Sequence, residues 1–239
     1  LEKLPNAKVA IFGYDLLSPR DIAIACRIKR IETIATQERF LSAWEGDSFF
    51  IFDHYLVINK EIETLILNER LGLVKKIKSI GPIRSDFINE DILNENVFTE
   101  KNVLVLDSRS TKDFYKNGLM KFGNWRQNHL FYEDILKLAK QNQNIKFIIK
   151  GKDYDFIDIP YFEDIKNLIN KSSNVELYND KYESPYELLQ KVSLTIARHT
   201  SLIDELLFKE RSIIIYDTGG YPSTFFNYGE NLIVKNYNG

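Results

Sequence analysis

Short, nearly continuous apolar runs alternate along the chain with stretches whose apolar residues recur every three or four positions. Lys8–Gly13 (KVAIFG) predicts a buried strand. Ser18–Ile28 predicts a helix opened by Ser18 as cap and Pro19 in the first turn, where the missing N–H has no partner to lose. Ile31–Thr36, His54–Ile58 and Ile77–Ile80 read as further strands, with a helix over Lys60–Arg70 that stops at Gly72 and a turn at Gly81-Pro82. Ile88–Lys101 is polar and reads as an interdomain linker or a long surface loop. Beyond it, Val103–Leu106, Ile145–Ile149, Val175–Tyr178, Leu194–Ala197, Ser212–Tyr216 and Leu232–Val234 predict strands. His129–Gln141, Tyr161–Asn170, Pro185–Lys191 and Ser201–Phe208 predict helices.

Apolar strands separated by helices specify parallel sheets covered on both faces. The expected class is therefore doubly wound α/β, with two Rossmann-like parallel-sheet units. Residues 1–95 form a first unit with few strands, expected to be incomplete, and residues 96–239 a second.

Composition narrows the classes of function. The 239 residues carry 32 Lys plus Arg against 34 Asp plus Glu, for a net charge of −2. That balance argues against a general nucleic-acid binder, whose affinity comes from neutralising many phosphates, although local basic clusters suffice for one small anion. The single cysteine, Cys26, makes no internal disulfide and suits a reducing cytoplasm. No apolar run reaches the roughly 18 residues of a membrane span. No His/Asp/Glu trio has metal-ligand spacing, so neither a metal nor another cofactor is expected. The chain opens on Leu1 and its one methionine is Met120, which leads us to expect a piece of a longer protein.

Ligands of open parallel sheets bind beyond the carboxyl ends of the strands. The residues that follow each predicted strand include Gln37-Glu38-Arg39, Asp107-Ser108-Arg109-Ser110, Lys150-Gly151-Lys152, Arg198-His199-Thr200-Ser201 and Asp217-Thr218. The fullest of these is Arg198-His199-Thr200-Ser201, which opens a helix carrying Glu205. Thr200 or Ser201 caps the helix, its free N–H groups favour an anion, and Glu205 lies one turn along. A capped helix with a solvated glutamate fits the same spacing. Asp107 is equally readable as the cap of a turn, and Glu38 as the ion-pair partner of Arg39 or Arg20. His129 is expected to face solvent at a helix start.

The strand, Arg-His-Thr-Ser-x-x-x-Glu helix and SIIIYD strand together resemble the donor half of GT-B glycosyltransferases that build bacterial surface polysaccharides. The first half agrees: IKRIETIATQER, DHYLVINKEIETLILNERLG and VKKIKSIGPIRSDFI are similar to that family's strands, Gln-containing turn and "G-x-x-R-x-D" turn. Within the superfamily, Gln37-Glu38-Arg39 and LVLDSRS resemble the retaining β-Kdo transferases, which use CMP-Kdo. The resemblance implies a Rossmann-like acceptor-side domain before residue 95 and a donor domain after it. It implies Asp107 as nucleophile and Glu38 as acid/base. Arg198, His199, Thr200, Ser201, Glu205, Lys150, Ser108 and Arg109 then hold the nucleotide-sugar donor, and Gln37 and Arg39 bind substrate. Lys150 and Lys152 stand where many relatives have His-Pro, so no histidine role carries over. Tyr221–Phe226 is expected to be core, with closure over the donor or acceptor as the alternative.

The acceptor implied is a glycan or lipid-linked glycan, with lipopolysaccharide O-antigen or capsule as the product and the inner face of the cytoplasmic membrane as the place of work. Three alternatives stay open at this stage. They are a GT-B transferase using a UDP-, GDP- or CDP-linked donor, a UDP-sugar 2-epimerase, and a nucleotide-sugar-binding subunit without turnover.

Overall fold

The computed structural model describes residues 6–13, 19–38, 50–69, 72–88, 101–106, 125–151, 157–158, 160–178, 184–198, 200, 202–216, 218 and 233–234. The chain divides into two compact units, Leu1–Asp86 and Phe87–Gly239.

The first unit carries β1 (Val9–Phe12), α1 (Arg20–Ile28), β2 (Glu32–Thr36), β3 (Ile51–Val57), α2 (Lys60–Glu69) and β4 (Leu73–Ser79), followed by a 3-10 turn at Ile83–Phe87. Its four strands are all parallel and stand in the order β1-β2-β3-β4. One core holds it together: Ala23 of α1 and Ile62 and Ile66 of α2 pack on Ala35, Phe52, Tyr55 and Val57. Both β3 and β4 are longer than the apolar runs suggested. Asp53 interrupts the first run, and Lys75, Lys76 and Lys78 interrupt the second. In the fold Asp53 is buried and ion-paired. It accepts from the Thr33 N–H at 2.9 Å and the Thr33 hydroxyl at 3.0 Å, and Lys75 Nζ lies 2.6 Å from its other oxygen. Burial pushes the Asp53 carboxyl up, but the Lys75 ammonium and the Thr33 donors outweigh it and hold the group at about 2.

The second unit carries β5 (Asn102–Leu106), α3 (Trp125–Gln141), β6 (Lys146–Lys150), a 3-10 turn at Pro160–Phe162, α4 (Glu163–Lys171), β7 (Val175–Tyr178), α5 (Pro185–Leu189), β8 (Leu194–Ala197), α6 (Leu202–Phe208), β9 (Ile213–Tyr216) and β10 (Ile233–Val234). The strands are parallel in the order β10-β9-β8-β5-β6-β7. Counted from β5, that is the 3-2-1-4-5-6 order of a dinucleotide-type sheet, with its reversal between β5 and β8.

Strand β5 shows why this sheet is doubly covered. Val103 and Val105 pack with Phe131 and Ile135 of α3 and Ile165 of α4. Leu104 and Leu106 pack with Leu188 of α5 and Ile203 and Leu206 of α6. Alternate residues thus feed two cores, the period of two that a strand imposes. Polar ties fix the helices. The buried Asp134 of α3 accepts from Tyr216 Oη at 2.5 Å, and Asn174 donates to the carbonyls of Ala139, Asn142 and Ile145.

His129 is partly exposed and ion-paired, and its helix begins earlier, at Trp125. On α3 its Nε2 lies 2.8 Å from Asp164 Oδ2 of α4 and its Nδ1 3.5 Å from Glu133 Oε1, with the ring near Phe162. Desolvation raises the Asp164 carboxyl, but the His129 hydrogen bond and backbone N–H groups more than offset it, so the net shift is downward. Ser18 and Tyr221–Phe226 lie outside the described residues.

Candidate functional site

The reversal between β5 and β8 sets the position of the site in the second unit. There the crossovers leave in opposite directions, so the crevice beyond the strand ends is not filled by a connection. Leu106 pairs with Ala197 across this gap, and Leu106 pairs on its other side with Lys150. The residues that follow are therefore the ones the topology presents to a ligand.

Arg198 follows Ala197 and is buried, only 5% exposed. Its Nη1 donates to Asn128 Oδ1 and its Nη2 to Gln127 Oε1 at 3.5 Å, and the guanidinium lies 6.0 Å from the Phe131 ring. The first turn of α3 is thereby stitched to the end of β8. Thr218, after β9, donates to the Gln127 carbonyl at 3.2 Å and ties in the next strand end. The result is a guanidinium held among amide oxygens at the switch point, next to a helix start that carries no acidic residue. Buried cations cost free energy unless hydrogen-bonded, and a planar guanidinium presents its donors in a fixed fork.

Thr200 does what its position suggested: its hydroxyl accepts from the Leu202 N–H at 3.3 Å and caps α6. Glu205, one turn on, is not solvated. It is 2% exposed and accepts from Tyr186 Oη at 2.7 Å. Lys150 ends β6, with Nζ 5.3 Å over the Tyr178 ring. Asp107, Ser108, Arg109, His199 and Ser201 lie outside the described residues.

In the first unit, Gln37 is buried at the end of β2, where its Oε1 accepts from the Ile58 N–H at 2.9 Å. That bond extends the β2–β3 ladder by one residue beyond the strand. The Glu38 side chain is 6% exposed and pairs with Arg84 of the 3-10 turn, so the "G-x-x-R-x-D" segment carries the countercharge. Arg39 lies outside the described residues. Among the described residues, no group of three His, Cys, Asp or Glu is arranged to hold a metal ion. No described helix is long and apolar enough to cross a membrane.

Four residues of this geometry were absent from the sequence-derived site: Gln127, Asn128, Tyr186 and Arg84. Arg84 had a signal, since it sits inside a turn motif that was itself recognisable. Asn128 and Tyr186 had none, because their partners are 70 and 19 residues away in the chain.

No family model and no curated protein sequence matches this chain. Solved structures do. MnaA of S. aureus, determined with UDP, aligns with a TM-score of 0.58 at 9% identity, over 89% of this chain and 59% of that one. The UDP-GlcNAc 2-epimerase of Neisseria meningitidis, bound to UDP-GlcNAc, aligns with a TM-score of 0.57 at 14% identity, over 87% of this chain and 58% of that one. The chain thus spans about three fifths of the length of these proteins. Its fold is of the GT-B type, with two Rossmann-like parallel-sheet units.

Proposed function

We propose that the protein is a nucleotide-sugar-dependent glycosyltransferase of bacterial surface-polysaccharide synthesis, with the donor nucleotide held by the second unit. The observation that carries this reading is the buried Arg198 at the strand-order reversal, flanked by the first turn of α3 and by the capped helix of Glu205. An anionic diphosphate or monophosphate ester meets there a cation and a helix start of matching sign. Glu205 supplies a carboxylate for ribose hydroxyls. The resemblance of Gln37-Glu38-Arg39 and LVLDSRS to the β-Kdo transferases supports CMP-Kdo as the donor.

In that mechanism the Asp107 carboxylate attacks the anomeric carbon, and the bond to the phosphate oxygen breaks with CMP taking the electron pair. An acceptor hydroxyl then displaces Asp107 as Glu38 takes its proton, so that two inversions give net retention. Arg109 and Arg39 supply charge for the sugar carboxylate, a role that suits a bidentate guanidinium. The glycan or lipid-linked acceptor brings the protein to the inner membrane face.

A UDP-sugar 2-epimerase is the second reading, favoured by the UDP- and UDP-GlcNAc-bound structures that share the fold. Calorimetry with CMP, CDP, UDP and GDP separates the two. Selective CMP binding is expected. Intact mass should then show one added sugar after exposure to CMP-Kdo, lost in Asp107→Asn while CMP affinity stays within a few-fold. Preference for UDP, with free sugar released from UDP-GlcNAc without acceptor, would install the epimerase instead. Binding of none of the four would overturn both.

A further inference from the structure

We infer that Tyr186 is a positioning residue for ribose recognition, acting through Glu205. The inference rests on the nucleotide-binding reading of the second unit and adds to it a residue that carries no recognisable motif.

A carboxylate 2% exposed is costly unless donors surround it. Tyr186 supplies one: its Oη donates to Glu205 Oε2 at 2.7 Å, a charge-assisted bond at the strong end of its class. The phenol cannot wander. Tyr186 stands in the first turn of α5, where its N–H donates to Ser184 Oγ at 3.2 Å and the Ser184 N–H donates to Glu187 Oε2 at 3.1 Å. That capping box and Pro185 in the first turn fix the start of the helix, and Leu188 and Leu189, each 1% exposed, anchor its next residues in the core. Glu205 is equally constrained, between Ile203 and Leu206, both fully buried in the same core. Two helices rooted in one apolar cluster therefore hold phenol and carboxylate in register. Burial differs along the pair: Glu205 is buried, while Tyr186 is only partly buried.

A carboxylate held this way is oriented by the phenol, so a ribose hydroxyl meets an acceptor already aimed. Without the phenol the carboxylate loses this donor, and the preference for ribose over deoxyribose weakens.

The test measures binding of CMP and 2′-deoxy-CMP, with UDP and 2′-deoxy-UDP alongside, to the chain and to Tyr186→Phe, Glu205→Gln and the double variant. Tyr186→Phe keeps the ring and so keeps its packing. We expect ribonucleotide binding to weaken about tenfold, the scale of a hydrogen bond to a charged group, with 2′-deoxynucleotide binding unchanged. In the Glu205→Gln background the phenylalanine should add nothing further, the signature of two residues acting as one unit. Equal weakening for both sugars, an unchanged ribonucleotide affinity, or additive effects in the double variant would overturn the assignment while leaving nucleotide binding intact. Absence of nucleotide binding by the unmodified chain would instead defeat the functional reading, and this inference with it.

Discussion

Strands β5 and β4 both lie in all-parallel sheets, yet they meet opposite surroundings. All five residues of β5 are buried, whereas β4 leaves Leu73, Lys75, Lys76 and Lys78 exposed. The contrast extends to whole sheets. Among the described residues, the second unit has two apolar clusters, one on each face, while the first has a single cluster beneath α1 and α2. On the edge strand of the first unit, Val9 is 47% and Ile11 73% exposed. Strand order differs as well: the first sheet runs β1-β2-β3-β4 without reversal, and the second reverses between β5 and β8. Parallel strands reach their full stability when both faces are covered, and a ligand crevice forms where the order reverses. Among the described residues, both properties belong to the second unit. It is there that the buried cation Arg198 and the buried carboxylate Glu205 are found.

The sharpest way to break this contrast is to cut equal volumes from both sheets. Leu104→Ala, at a fully buried position, is expected to cost about 2–5 kcal/mol, and Ile11→Ala, on the exposed edge, no more than about 0.5 kcal/mol. Urea unfolding of the two variants checks this, and similar costs would show that β1 is as packed as β5.

A second substitution probes how the first sheet closes. Gly72 sits at φ +91° just before β4, and an added Cβ would lie 2.2 Å from the Phe50 carbonyl oxygen. Backbone cannot step aside as a side-chain tip does. Gly72→Ala should therefore cost about 2 kcal/mol or more, from the left-handed conformation and the clash together. A neutral result in thermal unfolding would mean that β4 pairs with β3 more loosely than the register Ile51–Leu73 implies.

The smallest effect concerns acid. Asp53 is held at about 2 against an ordinary 3.8, so the folded state binds its proton less readily than the unfolded chain. Its contribution is complete above about pH 4 and fades as pH falls towards 2. With Lys75 largely exposed, solvent screening limits it to at most about 2 kcal/mol. Asp53→Asn should flatten the loss of stability in that window. An unchanged acid limb would show that the Thr33–Asp53–Lys75 row is not what the first sheet loses in acid.

Much of this was legible beforehand, for reasons visible residue by residue. VLVL at 103–106 carries no polar interruption and IKFII at 145–149 only Lys146 near its start, so a doubly covered strand was their natural reading, and the fold places β5 and β6 there. Strand β4 was read too short because three lysines in seven residues resemble a solvated segment. A half-exposed parallel edge strand is a tertiary outcome that periodicity alone does not show. The succession of Arg198, Thr200 and Glu205 after β8 was legible because strand, cap and helix follow one another within eight residues. The capping role of Thr200 was local enough to name.

The sequence by itself determined the alternation of strands and helices, the parallel character of both sheets and the cluster that follows β8, because each depends on neighbours in the chain and on a period of two or three to four. Only the tertiary structure decided which strand lies beside which, that Glu38 meets Arg84, that Arg198 meets Asn128 and that Tyr186 meets Glu205. Those pairings join residues remote in sequence through the packing of separate helices and strands. A buried charge takes whatever donor or acceptor the fold brings within reach, and no local pattern records which one that is.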